Sequence, residues 1–246
     1  MRAALAFLTC LGGPVTPTPK ALPWFPVVGA GLGFGVGGIW WLAEGIWPPL
    51  LAAALAVSVD LAITGMLHLD GLADSADGLL AHGLDPARRL EVMAEPTTGA
   101  FALATVALVL VLRVTALAAL TPAPMLVAVL WATSRAAMAL AVQSQPYARA
   151  RGLASSFRDP ASSARPVVGV SLVVGLVLVL AAALAWGDGQ GVGVVDLAAG
   201  VLSAALAFGG VTMLARRRIG GYTGDVLGAA GMVAETAGLI AVAARW

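Results

Sequence analysis

Three carboxylates, Asp70, Asp74 and Asp77, stand at i, i+4 and i+7 within Thr64-Gly65-Met66-Leu67-His68-Leu69-Asp70-Gly71-Leu72-Ala73-Asp74-Ser75-Ala76-Asp77-Gly78. On a helix these spacings share one face, so the three side chains project together. Like charges held this way repel, and a hard divalent cation with oxygen ligands, Mg²⁺ first, relieves the repulsion. A solvated helix end carrying acids for no special reason is the plainer alternative; the apolar residues on the other side of the same turn speak against it. His68 either orders a carboxylate, contacts substrate or is a merely interfacial histidine.

Cations and anion-binding backbone occur elsewhere in the chain. Arg88-Arg89-Leu90-Glu91-Val92-Met93-Ala94-Glu95-Pro96 reads equally as a charged amphipathic connector or a substrate contact. Pro146-Tyr147-Ala148-Arg149-Ala150-Arg151-Gly152-Leu153 sets two arginines beside an aromatic ring; they could fix topology or grip phosphate oxygens with their planar forks. Gly220-Gly221-Tyr222-Thr223-Gly224-Asp225-Val226-Leu227-Gly228 opens a helix, with Thr223 a candidate cap and free N–H groups that could face an anion. An ordinary Gly-rich turn is the alternative. Asp225 falls just inside that helix, near the depth expected for the Asp cluster.

The elements that must position these groups are set by composition. Sixty per cent of the 246 residues are apolar and only 11% are charged, which excludes a soluble globular protein. Apolar runs of about 20 residues, rather than alternating segments of about ten, make the chain an all-α, polytopic membrane bundle and set a β-barrel aside. Seven spans are expected: Phe25 to Ile46, Pro49 to Leu67, Ala100 to Leu120, Pro122 to Val142, Pro166 to Trp186, Gly191 to Ala215 and Asp225 to Ala244. Residues 1–246 read as a single membrane-embedded domain, and residues 1–24 as an interfacial or re-entrant segment too short to span.

Turns at Trp47-Pro48, Thr121 and Gly187 to Gln190 are short, whereas the opposite end has longer polar connections. That end holds Arg2, Lys20, Arg88, Arg89, Arg149, Arg151, Arg158, Arg165, Arg216, Arg217 and Arg218, against Arg245 alone at the other. The positive-inside rule makes it cytoplasmic, in a cytoplasmic (inner) membrane, with the active-site loops facing the cytoplasm. Arg216 to Arg218 read most simply as an anchor of this kind.

Four ionisable residues, Asp60, Arg113, Arg135 and Glu235, fall within spans, where unpaired charge is expensive. Counting the rise per residue gives Asp60 and Arg135 one depth and pairs Glu235 with Arg113. Gly33-Phe34-Gly35-Val36-Gly37-Gly38 fits a dinucleotide fingerprint but has no strand before it, so it is set aside. Gly31 and Gly35 are expected instead to form a small-residue face for helix contact, with Trp40, Trp41 and Trp47 at the outer interface. The single Cys10 excludes an internal disulfide and is expected to be a buried small residue.

The Asp block, Arg89-Leu90-Glu91-Val92-Met93, Pro146-Tyr147-Ala148-Arg149 with Gly152-Leu153, and Gly220 to Ala229 with Glu235 together resemble the cobalamin synthase family, the adenosylcobinamide-GDP ribazoletransferases. The blocks fall in family order across nearly the whole chain, and the first and last are specific. The resemblance implies transfer of a phosphocobinamide group from its GDP ester to a hydroxyl of α-ribazole or its phosphate, releasing GMP at the membrane with Mg²⁺. On that reading Asp70, Asp74 and Asp77 are catalytic metal ligands, while Thr64, His68, Arg149, Thr223 and Asp225 bind substrate. Asp60, Arg135 and Glu235 support them from within the membrane. The expected partners are the two small-molecule substrates and membrane lipid, not nucleic acid. Two other classes use related logic. A CDP-alcohol phosphotransferase would need an Ala-Arg continuation after Asp-Gly that Asp70-Gly71-Leu72-Ala73-Asp74 lacks; a transporter would show discontinuous helices in pseudo-symmetric halves.

Overall fold

The computed structural model describes residues 1–150, 152–157, 163–185 and 192–244. The expected turn at Gly187 to Gln190, together with Arg151, Arg158 and Arg245, lies outside the described residues. The described chain is helical: α1 (Arg2–Leu8), α2 (Phe25–Glu44), α3 (Pro49–Ile63), α4 (Leu67–Leu80), α5 (Pro86–Val92), α6 (Ala100–Ala118), α7 (Pro124–Ser144), α8 (Arg165–Ala185), α9 (Val194–Ile219) and α10 (Gly224–Ala243). Short 3₁₀ turns cover Pro19–Trp24 and Leu153–Phe157.

Among the described residues six helices are long and apolar enough to cross a membrane, or seven if the bent pair α3 and α4 counts as one span. The second expected span behaves differently. Its helix stops at Ile63 instead of running to Leu67, and α4 then leaves at 89° to α3. The break is local chemistry. Thr64 ends α3 by donating its hydroxyl to Asp60 O at 2.7 Å, and Gly65 and Met66 both take left-handed conformations, with φ of 58° and 57°. Gly65 does so freely, whereas Met66 pays a cost of roughly 1–2 kcal/mol that the surrounding structure must offset. As a result α4 lies across the end of the bundle where α6 and α10 begin instead of continuing the direction of α3.

The packing is inverted relative to a soluble protein. Leu108, Leu172, Leu176, Leu202 and Leu206 are exposed, as lipid-facing residues should be, while charges sit in the middle. The two most enclosed spans, α7 and α10, are packed by contact at glycine. A Cβ on Gly29, Gly33 or Gly37 of α2 would come within 2.6, 2.5 and 2.6 Å of the α7 backbone. Gly31 and Gly35 have nothing within 4 Å, so the close face is the other stripe of the same four-residue spacing. Trp40, expected at the interface, is instead buried beside Trp131, while Trp41 and Trp47 are exposed as expected.

Arg113 occupies the centre. Its guanidinium bridges Asp60 at 2.9 Å and Glu235 at 2.9 Å, and also donates to Met232 O and Thr236 Oγ1. Arg135 pairs with Glu235, Ser134 donates to the same carboxylate, and Trp131 Nε1 donates to Asp60 at 3.1 Å. Glu235 thus meets Arg113 as depth suggested. Asp60, however, pairs with Arg113 rather than Arg135, because one five-donor fork can serve two carboxylates at once. Two positive and two negative side chains on α3, α6, α7 and α10 leave the cluster neutral.

Candidate active site

The functional segments meet where α4 crosses the start of α10. A Cβ on Gly71 would lie 2.7 Å from Asp225 O, and one on Gly228 would lie 3.1 Å from His68 Cα. These glycines bring the Asp-rich helix and the Gly-rich turn into backbone contact. The Arg149 loop is tied to the same turn: Ala148 N donates to Tyr222 O at 2.9 Å and Tyr222 N donates to Pro146 O at 3.0 Å, around a parallel bridge between Tyr147 and Tyr222. Gly221 makes the approach feasible, since a Cβ there would clash with Pro146 O. Three sequence blocks separated by as many as about 150 residues therefore form one surface.

At their junction Arg149 pairs with Asp225 at 3.1 Å, and both are half-buried. They line a cleft of about 280 Å³ with His68, Tyr147 and Gly228. Asp74 lies within electrostatic reach. Partial burial, and then the charges of Asp70 and Asp225, push its carboxyl up to about 6, with Arg149 opposing them. Burial is the larger cause, and a cation would relieve the smaller part that the neighbouring carboxylates add.

The remaining expected site residues are engaged differently. Asp77 accepts from Gly99 N at 2.6 Å and Ala102 N at 3.0 Å, which makes it the anchor of the α6 N-terminus. Thr64 is buried in the α3 end as described above, and Thr223 caps α10 by accepting from Val226 N at 3.2 Å, while donating to Asp225. Neither threonine lines the cleft. Among the described residues no three His, Cys, Asp or Glu side chains converge as a ready-made metal cage. Arg89 is a structural clamp: buried, it donates to the carbonyls of Gly78, Leu79 and Ala81 at the end of α4. Arg88 pairs with Glu91 and Glu95 on the exposed connector. Cys10 is exposed, not buried, with its N–H on Ile63 O.

The close approach of Gly71 to Asp225 and the lining roles of Ala6 and Phe7 have no chemical signature in the sequence.

The cobalamin-5-phosphate synthase family model matches residues 1–243. The chain belongs to this family. It is 38% identical to the adenosylcobinamide-GDP ribazoletransferase of Stutzerimonas stutzeri, over 98% of this chain and 96% of the relative. It is also 36% identical to the enzyme of that name from Syntrophobacter fumaroxidans, over 99% and 97%, and 38% identical to that of Alkalilimnicola ehrlichii, over 98% and 93%. No solved structure matches the chain. A cobalamin synthase family member carrying this Asp-rich helix is not favoured as a CDP-alcohol phosphotransferase or a transporter.

Proposed function

We propose that this chain is the adenosylcobinamide-GDP ribazoletransferase of its membrane: it moves the phosphocobinamide group from adenosylcobinamide-GDP to a hydroxyl of α-ribazole, or of α-ribazole phosphate, and releases GMP. The observation that carries this reading is the Arg149–Asp225 pair at the crossing of α10 and the Asp-rich α4, in a chain related over nearly its full length to enzymes of that name.

In the transfer a P–O bond forms between the acceptor hydroxyl and the phosphorus attached to cobinamide. The P–O bond of the diphosphate breaks, and its electron pair leaves on GMP. Arg149, able to exchange Asp225 for phosphate oxygens, holds and orients the diphosphate. Asp70, exposed on α4, takes the hydroxyl proton on a carboxylate oxygen. His68 and Tyr147 wall the cleft, and Thr223 and Asp77 keep α10 and α6 in place beside it.

Mg²⁺ fits the donor set. Asp74 is a crowded carboxylate beside Asp70, and Mg²⁺ is commonly held by one or two carboxylates plus substrate phosphates rather than by an all-protein cage. Asp70 and Asp74 would hold it, and it would supply neutralisation of charge on the diphosphate and leaving group.

We further place the polar end of the bundle in the cytoplasm, with the protein in the inner membrane and lipid around it. Among the described residues, nine of the Lys and Arg side chains lie at that end by helix alternation. The reaction is tested by reconstituting the protein in liposomes with adenosylcobinamide-GDP, α-ribazole and Mg²⁺. GMP and adenosylcobalamin should accumulate together, and absence of a corrinoid product would overturn the proposal. Orientation is read from Cys10, the single exposed thiol: an impermeant maleimide should label inverted vesicles, and labelling of intact cells would reverse the assignment.

A further inference from the structure

The α4 helix separates two concavities of opposite character. On one side is the cleft holding Arg149 and His68. On the other, Met66, Leu69, Asp70 and Ala73 face Ala102 and Val106 of α6 across a groove of about 420 Å³. Among the described residues, Asp70 is the only charged one lining it. Met66, at its edge, is the non-glycine residue held in a left-handed conformation, the kind of local strain that clusters at ligand sites. On α4, Asp74 is four residues from Asp70, which lines the groove, and three from Gly71, which meets Asp225, so its side chain falls on the face between the two.

We propose that this groove is the subsite for the aromatic base of the nucleoside acceptor, with Asp70 meeting the ribose hydroxyl that attacks. The inference rests on the transferase reading above and divides the two substrates between the two sides of α4. Charge makes the division. A diphosphate ester entering the groove would meet a carboxylate and no cation, whereas the opposite cleft offers Arg149; the base of the acceptor carries no such penalty. Polarity agrees, because a flat heteroaromatic ring gains from apolar walls of Leu, Val and Ala, and its sugar edge gains from a hydrogen-bond acceptor at one point. Size agrees as well. The groove is in the range that encloses a small organic molecule, and far too small for a corrin macrocycle with its side chains. The reacting hydroxyl and the phosphorus then approach each other from opposite sides, across Asp74.

Ala73→Leu and Ala107→Phe, which narrow the groove from α4 and α6, test this in liposomes with saturating Mg²⁺. The expected result is a KM for α-ribazole raised by about tenfold or more, a KM for adenosylcobinamide-GDP within about twofold of wild type, and kcat recovered at high nucleoside. An α-ribosyl nucleoside with a single-ring imidazole base should lose less on the narrowed groove than α-ribazole does. If a variant loses turnover altogether, equilibrium binding of each substrate to the purified protein reads the same split. An unchanged α-ribazole KM, as an acyl chain or nothing in the groove would give, overturns the proposal, and so does a rise in the ester KM instead. Failure of the transferase reading itself would look different, as wild-type protein forming no product in the same assay.

Discussion

Replacing Arg113 by methionine removes the guanidinium that ties α6 to α3 and α10 at the bundle centre. The guanidinium is 1% exposed and makes two ion pairs of 2.9 Å, a hydrogen bond of 3.0 Å to Met232 O and one of 3.2 Å to Thr236. Without it the cluster changes from neutral to one net negative charge. Glu235 keeps Arg135 and Ser134, but Asp60 keeps only Trp131 Nε1–H among the side-chain hydrogen bonds seen here. Breaking a buried pair by removing one partner costs about 3–5 kcal/mol, most of it the penalty of an uncompensated charge. That penalty is specific and can be separated from lost packing. In Asp60→Asn combined with Arg113→Met the remaining Arg135 and Glu235 balance, so about 1–3 kcal/mol should return relative to the single Arg113 change. Reversible unfolding in lipid nanodiscs, with Cys10 labelling to verify insertion, measures both. A loss below about 1 kcal/mol for Arg113→Met, or a double variant as unstable as the sum of the single changes, would refute the account of the network.

Other expectations are more local. Gly33→Ala should destabilise by about 1–3 kcal/mol because its Cβ would meet Val127 O at 2.5 Å, whereas Gly31→Ala, with open space around it, should be neutral or slightly stabilising; thermal midpoints compare the two. Arg89→Met strips a charged donor from three α4 carbonyls and should cost about 1.5–3 kcal/mol, read as faster amide exchange in the last turn of α4. Asp74 has a carboxyl raised above its unfolded value, so its contribution to stability is present at low pH and is lost as pH rises through about 6. In chelator the wild-type midpoint should therefore fall as pH rises from about 4 to about 6, by more than that of Asp74→Asn, and Mg²⁺ should restore it; equal slopes for both proteins would contradict the raised Asp74 carboxyl.

The parts of this architecture that hydropathy controls were legible in the sequence. Apolar run length located the spans, Lys and Arg at one end gave the common face of the loops, and the Asp spacing located the helix that carries them. What failed was register and pairing. Gly29, Gly33 and Gly37 share the four-residue spacing of Gly31 and Gly35, so nothing in periodicity tells which stripe meets α7. Depth alone could not show that one guanidinium reaches both Asp60 and Glu235. The break after Ile63 depends on two successive left-handed residues, one of them Met66, a residue with no preference for that conformation. Asp77 has the same type and spacing as Asp70 and Asp74; only the placement of the α6 N-terminus turns it into a helix anchor. Likewise Thr64 looks like a substrate contact until its hydroxyl is found on the end of α3, whereas Thr223 is the cap of α10 that its place in the sequence suggested.

The central claim is that carboxylates of α4 beside Arg149 drive a Mg²⁺-dependent phosphoryl-group transfer, and turnover of Asp74→Asn in liposomes tests it most directly. The substitution keeps the shape of the side chain that stands between the groove and the cleft while removing its charge, so insertion and Cys10 labelling should match wild type. GMP release and adenosylcobalamin formation, followed together at limiting Mg²⁺, should fall by about 100-fold or more. Correctly inserted Asp74→Asn protein with near wild-type turnover would contradict the account.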